Sequence, residues 1–212
     1  MSHYPRGMEP SDDDIERTLA DVVRAIEGKG LPYLLMGGAG TVTFGRCRAT
    51  DDIDVFVRVD DADRVLEVLG AAGFETSETE LTWLHKAFRH GVLVDVIYRS
   101  AGGVLLDDEM LRRGPRQDYR GTEANIMCPE DLVVIKALAS SEDATRHWYD
   151  ALSLIASCEL DWDYVVERAR SAGPRRLLSL FLYAESNDLA VPARVVESLF
   201  DTVHGAYAVA AG

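Results

Sequence analysis

"LPYLLMGGAGTVTFGRCRATDDIDVFVRV", residues 31–59, decides how this chain folds. Its opening "LPYLLM" is a short apolar run and reads as a buried strand. "GGAGTVTFG" (37–45) reads as a glycine-rich turn leading into a short helix. "IDVFVRV" (53–59) alternates, with Ile53, Val55, Val57 and Val59 on one face, so it reads as a second strand. Asp51, Asp52 and Asp54 crowd the start of that strand. Neighbouring carboxylates repel, and Asp is a poor strand residue. A turn explains one of them. A site that binds a cation explains the cluster.

Asp52 and Asp54 are two residues apart, so a strand points both to one face. Another acid stands in "VLVDVIY" (92–98), where Asp95 interrupts an apolar run with no base beside it in sequence. A lone buried Asp is costly unless paired or metal-bound. If the two strands are neighbours, Asp52, Asp54 and Asp95 converge on divalent metal. Mg²⁺ prefers oxygen ligands, a few carboxylates plus substrate phosphates. Two such ions suit in-line displacement at phosphorus. Backbone N–H groups at a strand–helix junction hold phosphate, which gives Gly37 and Gly38 a role. One helix and a turn fit between Gly38 and Asp52, so both can lie at the same end of neighbouring strands.

Working outward, "SDDDIERTLADVVRAIEGKG" reads as a helix capped by Ser11. Residues 1–10 read as a disordered tail. A helix is expected over 61–73, and "HKAFRH" with "VLVDVIY" reads as a hairpin about Gly91. After Cys128-Pro129 every segment reads as helix. The expected organisation is an α/β unit over 11–127, a mixed sheet with flanking helices, and a helical bundle over 128–212. Lys136 falls in "LVVIKALA", a helix apolar nearly all round. Such a lysine either snorkels or meets an anion. Arg146 and Asp150 are four apart and suited to pair with each other. Trp83, Trp148 and Trp162 read as core, and the five histidines show no ligand spacing.

The 212 residues are 47% hydrophobic and 27% charged, an ordinary globular balance. No apolar run is long enough to span a bilayer, and "MSHYPRGMEPSDDD" has no apolar signal core, so no membrane partner and a cytoplasmic location are expected. Three scattered cysteines, Cys47, Cys128 and Cys158, argue against a disulfide framework. A net charge of -14 favours a small or cationic partner. It counts against a nucleic-acid partner without excluding a local basic patch.

The pattern Gly-Gly, spacer, Asp-x-Asp, later Asp resembles the nucleotidyltransferase fold of the DNA polymerase β superfamily. Here it reads Gly37, Gly38, Asp52, Asp54 and Asp95. "RATDDIDV" is similar to the Arg-x-Thr-x-Asp-x-Asp of its AbiEii-like branch, which adds Arg48 and Thr50. "PEDLVVIKAL" and "RHWYDAL" resemble the helical segment of that branch, with Lys136 and Asp150 at its motif positions. The family often has Lys where this chain has Asp51. The resemblance covers roughly residues 31–155. It implies Mg²⁺-dependent transfer of a nucleoside monophosphate from an NTP to a hydroxyl acceptor, expected to be a small polar molecule. In it Asp52 and Asp54 hold the metals, and Asp95 binds the metal nearer the nucleophile and accepts its proton. Gly37, Gly38 and Thr50 contact phosphate, and Lys136 neutralises its charge. Two alternatives accompany it. One is a toxin-like enzyme acting on tRNA or protein with an antitoxin partner, where the other protein partner expected is a second copy of the chain in a homo-oligomer. The other is a non-catalytic relative that binds nucleotide or a partner chain.

Overall fold

The computed structural model describes residues 10–46, 48–77 and 82–210. The tail expected over 1–10, Pro10 apart, and Cys47 lie outside the described residues.

Helix α1 (Asp12–Glu27) starts where the sequence places it. The Ser11 side chain accepts from the Asp14 N–H, and the Asp14 carboxylate accepts from the Ser11 N–H. Three acids in the first turn suit the positive end of the helix dipole. There follow β1 (Tyr33–Leu35), α2 (Gly37–Phe44), β2 (Asp52–Val57), α3 (Ala62–Ala71), β3 (Glu75–Ser77), β4 (Leu84–Arg89) and β5 (Val92–Ile97). They build one five-stranded mixed sheet in the order β1-β2-β5-β4-β3. β2 and β5 are parallel, and the other neighbours are antiparallel. Next come α4 (Asp108–Arg113) and a separate hairpin, β6 (Arg116–Tyr119) with β7 (Thr122–Asn125). The rest is helical: α5 (Pro129–Ala139), α6 (Arg146–Ser157), α7 (Trp162–Ala172), α8 (Pro174–Glu185) and α9 (Ala193–Ala210).

Alternation along the strands divides the core between the two sheet faces. Leu35, Val55, Val57, Val94 and Val96 pack with the inner face of α1, including Leu19 and Val22, and with Val65 and Leu69 of α3. Leu34, Phe56, Leu84 and Ile97 face the other way and join the apolar side chains of α5 to α9. Each fully buried side chain of this kind contributes roughly 1.5–3 kcal/mol. Helix α5 is buried from Glu130 to Ala137, as its apolar character implies. Asp52 and Asp54 share the face of Phe56, so they point into the junction between sheet and helices. Val59 departs from expectation. It leaves the strand for a 3₁₀ turn (Val59–Asp61) and is exposed.

Candidate active site

Register brings the acids together. Asp54 stands opposite Asp95 across the β2–β5 pair, and Asp95 stands opposite Lys86 across β5–β4. Asp54, Asp95 and Lys86 therefore form one row across three strands. Asp52, Asp54 and Asp95 line a cleft of about 590 Å³ together with Gly37 and Lys136. The Thr50 hydroxyl donates to Asp52 Oδ1 at 2.8 Å, and Lys86 Nζ donates to Asp95 Oδ1 at 3.0 Å.

Burial, then repulsion from Asp52 and Asp95, pushes the Asp54 carboxyl up to about 7, against the pull of Lys136 and the Gly38 N–H. Burial also raises Asp95, with Asp52 adding to it and Lys86 opposing. Among the described residues no three His, Cys, Asp or Glu side chains already stand grouped as a metal site. Asp52 and Asp54 nonetheless fit a hard cation. Their donors are carboxylate oxygens, and the repulsion between them is what a divalent ion relieves.

The two glycines make the approach of α2 to these acids feasible. Gly37 has φ +56°, and a Cβ there would fall 1.6 Å from Asp54 Oδ2. A Cβ on Gly38 would fall 2.2 Å from Thr50 Oγ1. A larger residue at 37 displaces Asp54 on the cleft wall, and one at 38 displaces Thr50 behind it.

Asp150 is fully buried, and three cations surround it: Lys136 Nζ at 3.1 Å, Arg46 Nε at 3.0 Å and Arg48 Nε at 3.4 Å. Burial works to raise its carboxyl, but these cations outweigh it and the net shift is downward. Burial lowers Lys136, with Arg48 adding to it, while Asp150 and Asp54 work the other way. Three cations around one carboxylate favour the ionised pair. Arg146 does not pair with Asp150. It lines the cleft beside His147, whose imidazole is pushed down to about 4 by burial, then by Lys136 and Arg146. His147 Nδ1 is buried without a hydrogen-bond partner.

Asp52, Asp54, Asp95, Gly37 and Lys136 thus meet on the cleft wall. Gly38, Thr50, Arg48 and Asp150 support that wall from behind, through the contacts just given. Sequence reasoning missed Lys86, Arg46 and Arg99. The Lys86 signal was readable, since a hairpin turning at His90-Gly91 sets residue 86 opposite 95. Trp148 and Trp162 do pack against the core, but Trp83 is 41% exposed on the cleft. Its neighbour Leu84 takes the inward position instead.

No curated protein sequence matches the chain. Among solved structures, the chain is similar to the antibiotic-resistance factor ANT(2″)-Ia at 17% identity and TM-score 0.46, over 94% of this chain and 96% of that one. It is similar to the lincosamide antibiotic adenylyltransferase LnuA, bound to lincomycin, at 13% identity and TM-score 0.45, over 69% and 99%. It is also similar to JHP933 from Helicobacter pylori at 15% identity and TM-score 0.45, over 91% and 90%. Likeness of this degree says nothing about substrate. Residues 11–186 match a family described as uncharacterised nucleotidyltransferase, and the chain belongs to that family.

Proposed function

We propose that the cleft carries Mg²⁺-dependent transfer of a nucleoside monophosphate from an NTP to a hydroxyl acceptor that is a small polar molecule. The observation that carries this reading is the cross-strand row of Asp54 and Asp95, with Asp52 on the same wall and Lys136 facing them from α5. Mg²⁺, held by Asp52 and Asp54 with Asp95 within the same cleft, would neutralise charge on the triphosphate.

The chain's own residues do the rest. Thr50 orients Asp52, and the Gly38 N–H steadies Asp54. Lys136 and Arg146 draw the triphosphate, and the Asp150 cage holds Lys136 in place. Asp95, aligned by Lys86, accepts the proton of the acceptor hydroxyl. The acceptor oxygen bonds to the α-phosphorus, the bond to the bridging oxygen breaks, and pyrophosphate leaves. Residues 11–127 and 128–212 are proposed as the two units that meet here. The first supplies the acids, and the second supplies Lys136, Arg146 and His147. An NTP donor suits a cytoplasmic setting, and no described helix is long and apolar enough to cross a membrane.

The test offers NTP labelled on either the α- or the γ-phosphate, with Mg²⁺ and a panel of small hydroxyl compounds, tRNA and protein. Transfer of the α label alone to a small compound is expected. Transfer of the γ label, or none to any acceptor, overturns the reading. Labelling of tRNA or protein instead promotes the toxin-like alternative.

A further inference from the structure

We infer that Trp83 and Arg99 form the acceptor's end of the cleft, and that it takes a small hydroxyl compound carrying a flat ring and an anionic group, a carboxylate or a phosphate. The inference rests on the transfer reading above and adds the substrate class.

The sheet gives the cleft two ends. The Met36 N–H donates to the Asp54 carbonyl, and β1 runs antiparallel to β2. Gly37 and Gly38 therefore lie towards the start of β2, on the Asp52 side of the acid row. Arg99 lies past the end of β5, on the other side of that row. The Tyr98 and Arg99 N–H groups donate to the Trp83 carbonyl at 3.0 and 3.2 Å, which fixes Trp83 at the same end. Both residues line the cleft. In-line displacement puts nucleophile and leaving group on opposite sides of the phosphorus. With the leaving pyrophosphate at the glycine end, where helix α2 starts, the nucleophile arrives from the Trp83–Arg99 end and passes Asp95.

The chemistry of that end follows from two observations. The chain holds 36 Asp and Glu against 22 Lys and Arg, so an arginine rarely lacks a carboxylate. Among the described residues only Arg64, Arg99 and Arg146 have guanidinium groups with no described partner, and two of these three line this cleft. A guanidinium recognises carboxylate or phosphate in a planar, two-bond geometry. Beside it, 41% of Trp83 is exposed, although tryptophan is highly buried on average. An exposed indole that lines a cleft suits a planar ring. The overall charge of -14 repels a long polyanion, but that field is screened over about 10 Å and a single anionic group meets Arg99 at contact.

The experiment fills the donor end with a non-hydrolysable MgATP analogue. Four matched phenols are then titrated by calorimetry: para-hydroxybenzoate, para-hydroxyphenyl phosphate, para-hydroxybenzamide and para-hydroxybenzylamine. Both anions should bind roughly tenfold tighter than the amide, a difference of about 1.4 kcal/mol. The amine should bind weakest. In Arg99→Gln that order should flatten while affinity for the ATP analogue stays within about twofold. In Trp83→Leu all four should weaken together. Absent binding of the phenols, no charge preference, a preference for the amine, or a loss confined to the ATP analogue in Arg99→Gln each overturns the inference. So does tighter binding of a single-stranded RNA oligonucleotide with a steep salt dependence. If the ATP analogue itself fails to bind, the transfer reading falls. If it binds and the phenols show no charge preference, only the subsite falls.

Discussion

At the scale of single residues, Asp54 sets burial against charge. Its carboxyl is raised from an ordinary 3.8 to about 7 in the folded protein. A raised carboxylate binds more protons folded than unfolded, so its contribution falls as pH climbs from about 4 to 7 and is flat above. Asp54→Asn removes that penalty. In metal-free urea unfolding the variant should gain on the order of 1–3 kcal/mol at pH 8 and nothing at pH 4. Added Mg²⁺ should shrink the gain, because a bound cation lets Asp54 ionise freely. An equal difference at both pH values would contradict the account. Lys86 is the second test. Lys86→Met should lower the transfer rate by roughly 10–100-fold with little change in KM for NTP, because Asp95 loses its alignment. Lys86→Arg should recover part of the loss, and a KM effect alone would argue against an alignment role. The acids were legible in sequence because strand alternation and an interrupted apolar run are local signals. The cage around Asp150 was not. Arg46 and Arg48 lie between α2 and β2, where no periodicity says which way a side chain turns.

At the scale of elements, α5 stands between the two halves of the site. It carries Lys136 to the cleft and buries Leu132, Val133 and Ala137 completely. Its two charged partners should respond unequally to mutation. Asp150→Asn strands Lys136 beside Arg46 and Arg48 and should cost about 3–5 kcal/mol. Lys136→Met leaves Asp150 with two arginines and should cost less, while raising KM for NTP. Urea melts of both variants, with and without MgATP, decide this; a greater loss in Lys136→Met would refute the cage. Helices α1 and α3, the helical stretch after Pro129 and the β4–β5 hairpin were readable from apolar spacing; the six-residue α4, with Met110 as its one buried residue, was not. β3 was not, because all three of its residues are exposed and nothing alternates. The β6–β7 hairpin was missed for a different reason. Its turn residues, Arg120 and Gly121, both take positive φ, a geometry that Asn-Gly or Asp-Gly usually announces.

At the scale of the whole molecule, the sheet contributes the acids, the segment after β5 contributes Arg99, and helices α5 and α6 contribute Lys136 and Arg146 to one cleft. Neither the acids nor the cations alone make up the proposed site. The strong negative charge of the chain is a global quantity, and it hid the basic character of one cleft wall from sequence reasoning. The central claim is that the carboxylates on β2 make nucleotide binding depend on a divalent ion. Calorimetric titration of ATP into the protein, with and without Mg²⁺, beside the same titrations of Asp54→Asn, tests it most directly and needs no acceptor. The account predicts Mg²⁺-dependent binding to the unmodified chain and loss of that dependence in a folded Asp54→Asn. Equal ATP affinity in all four titrations would contradict it.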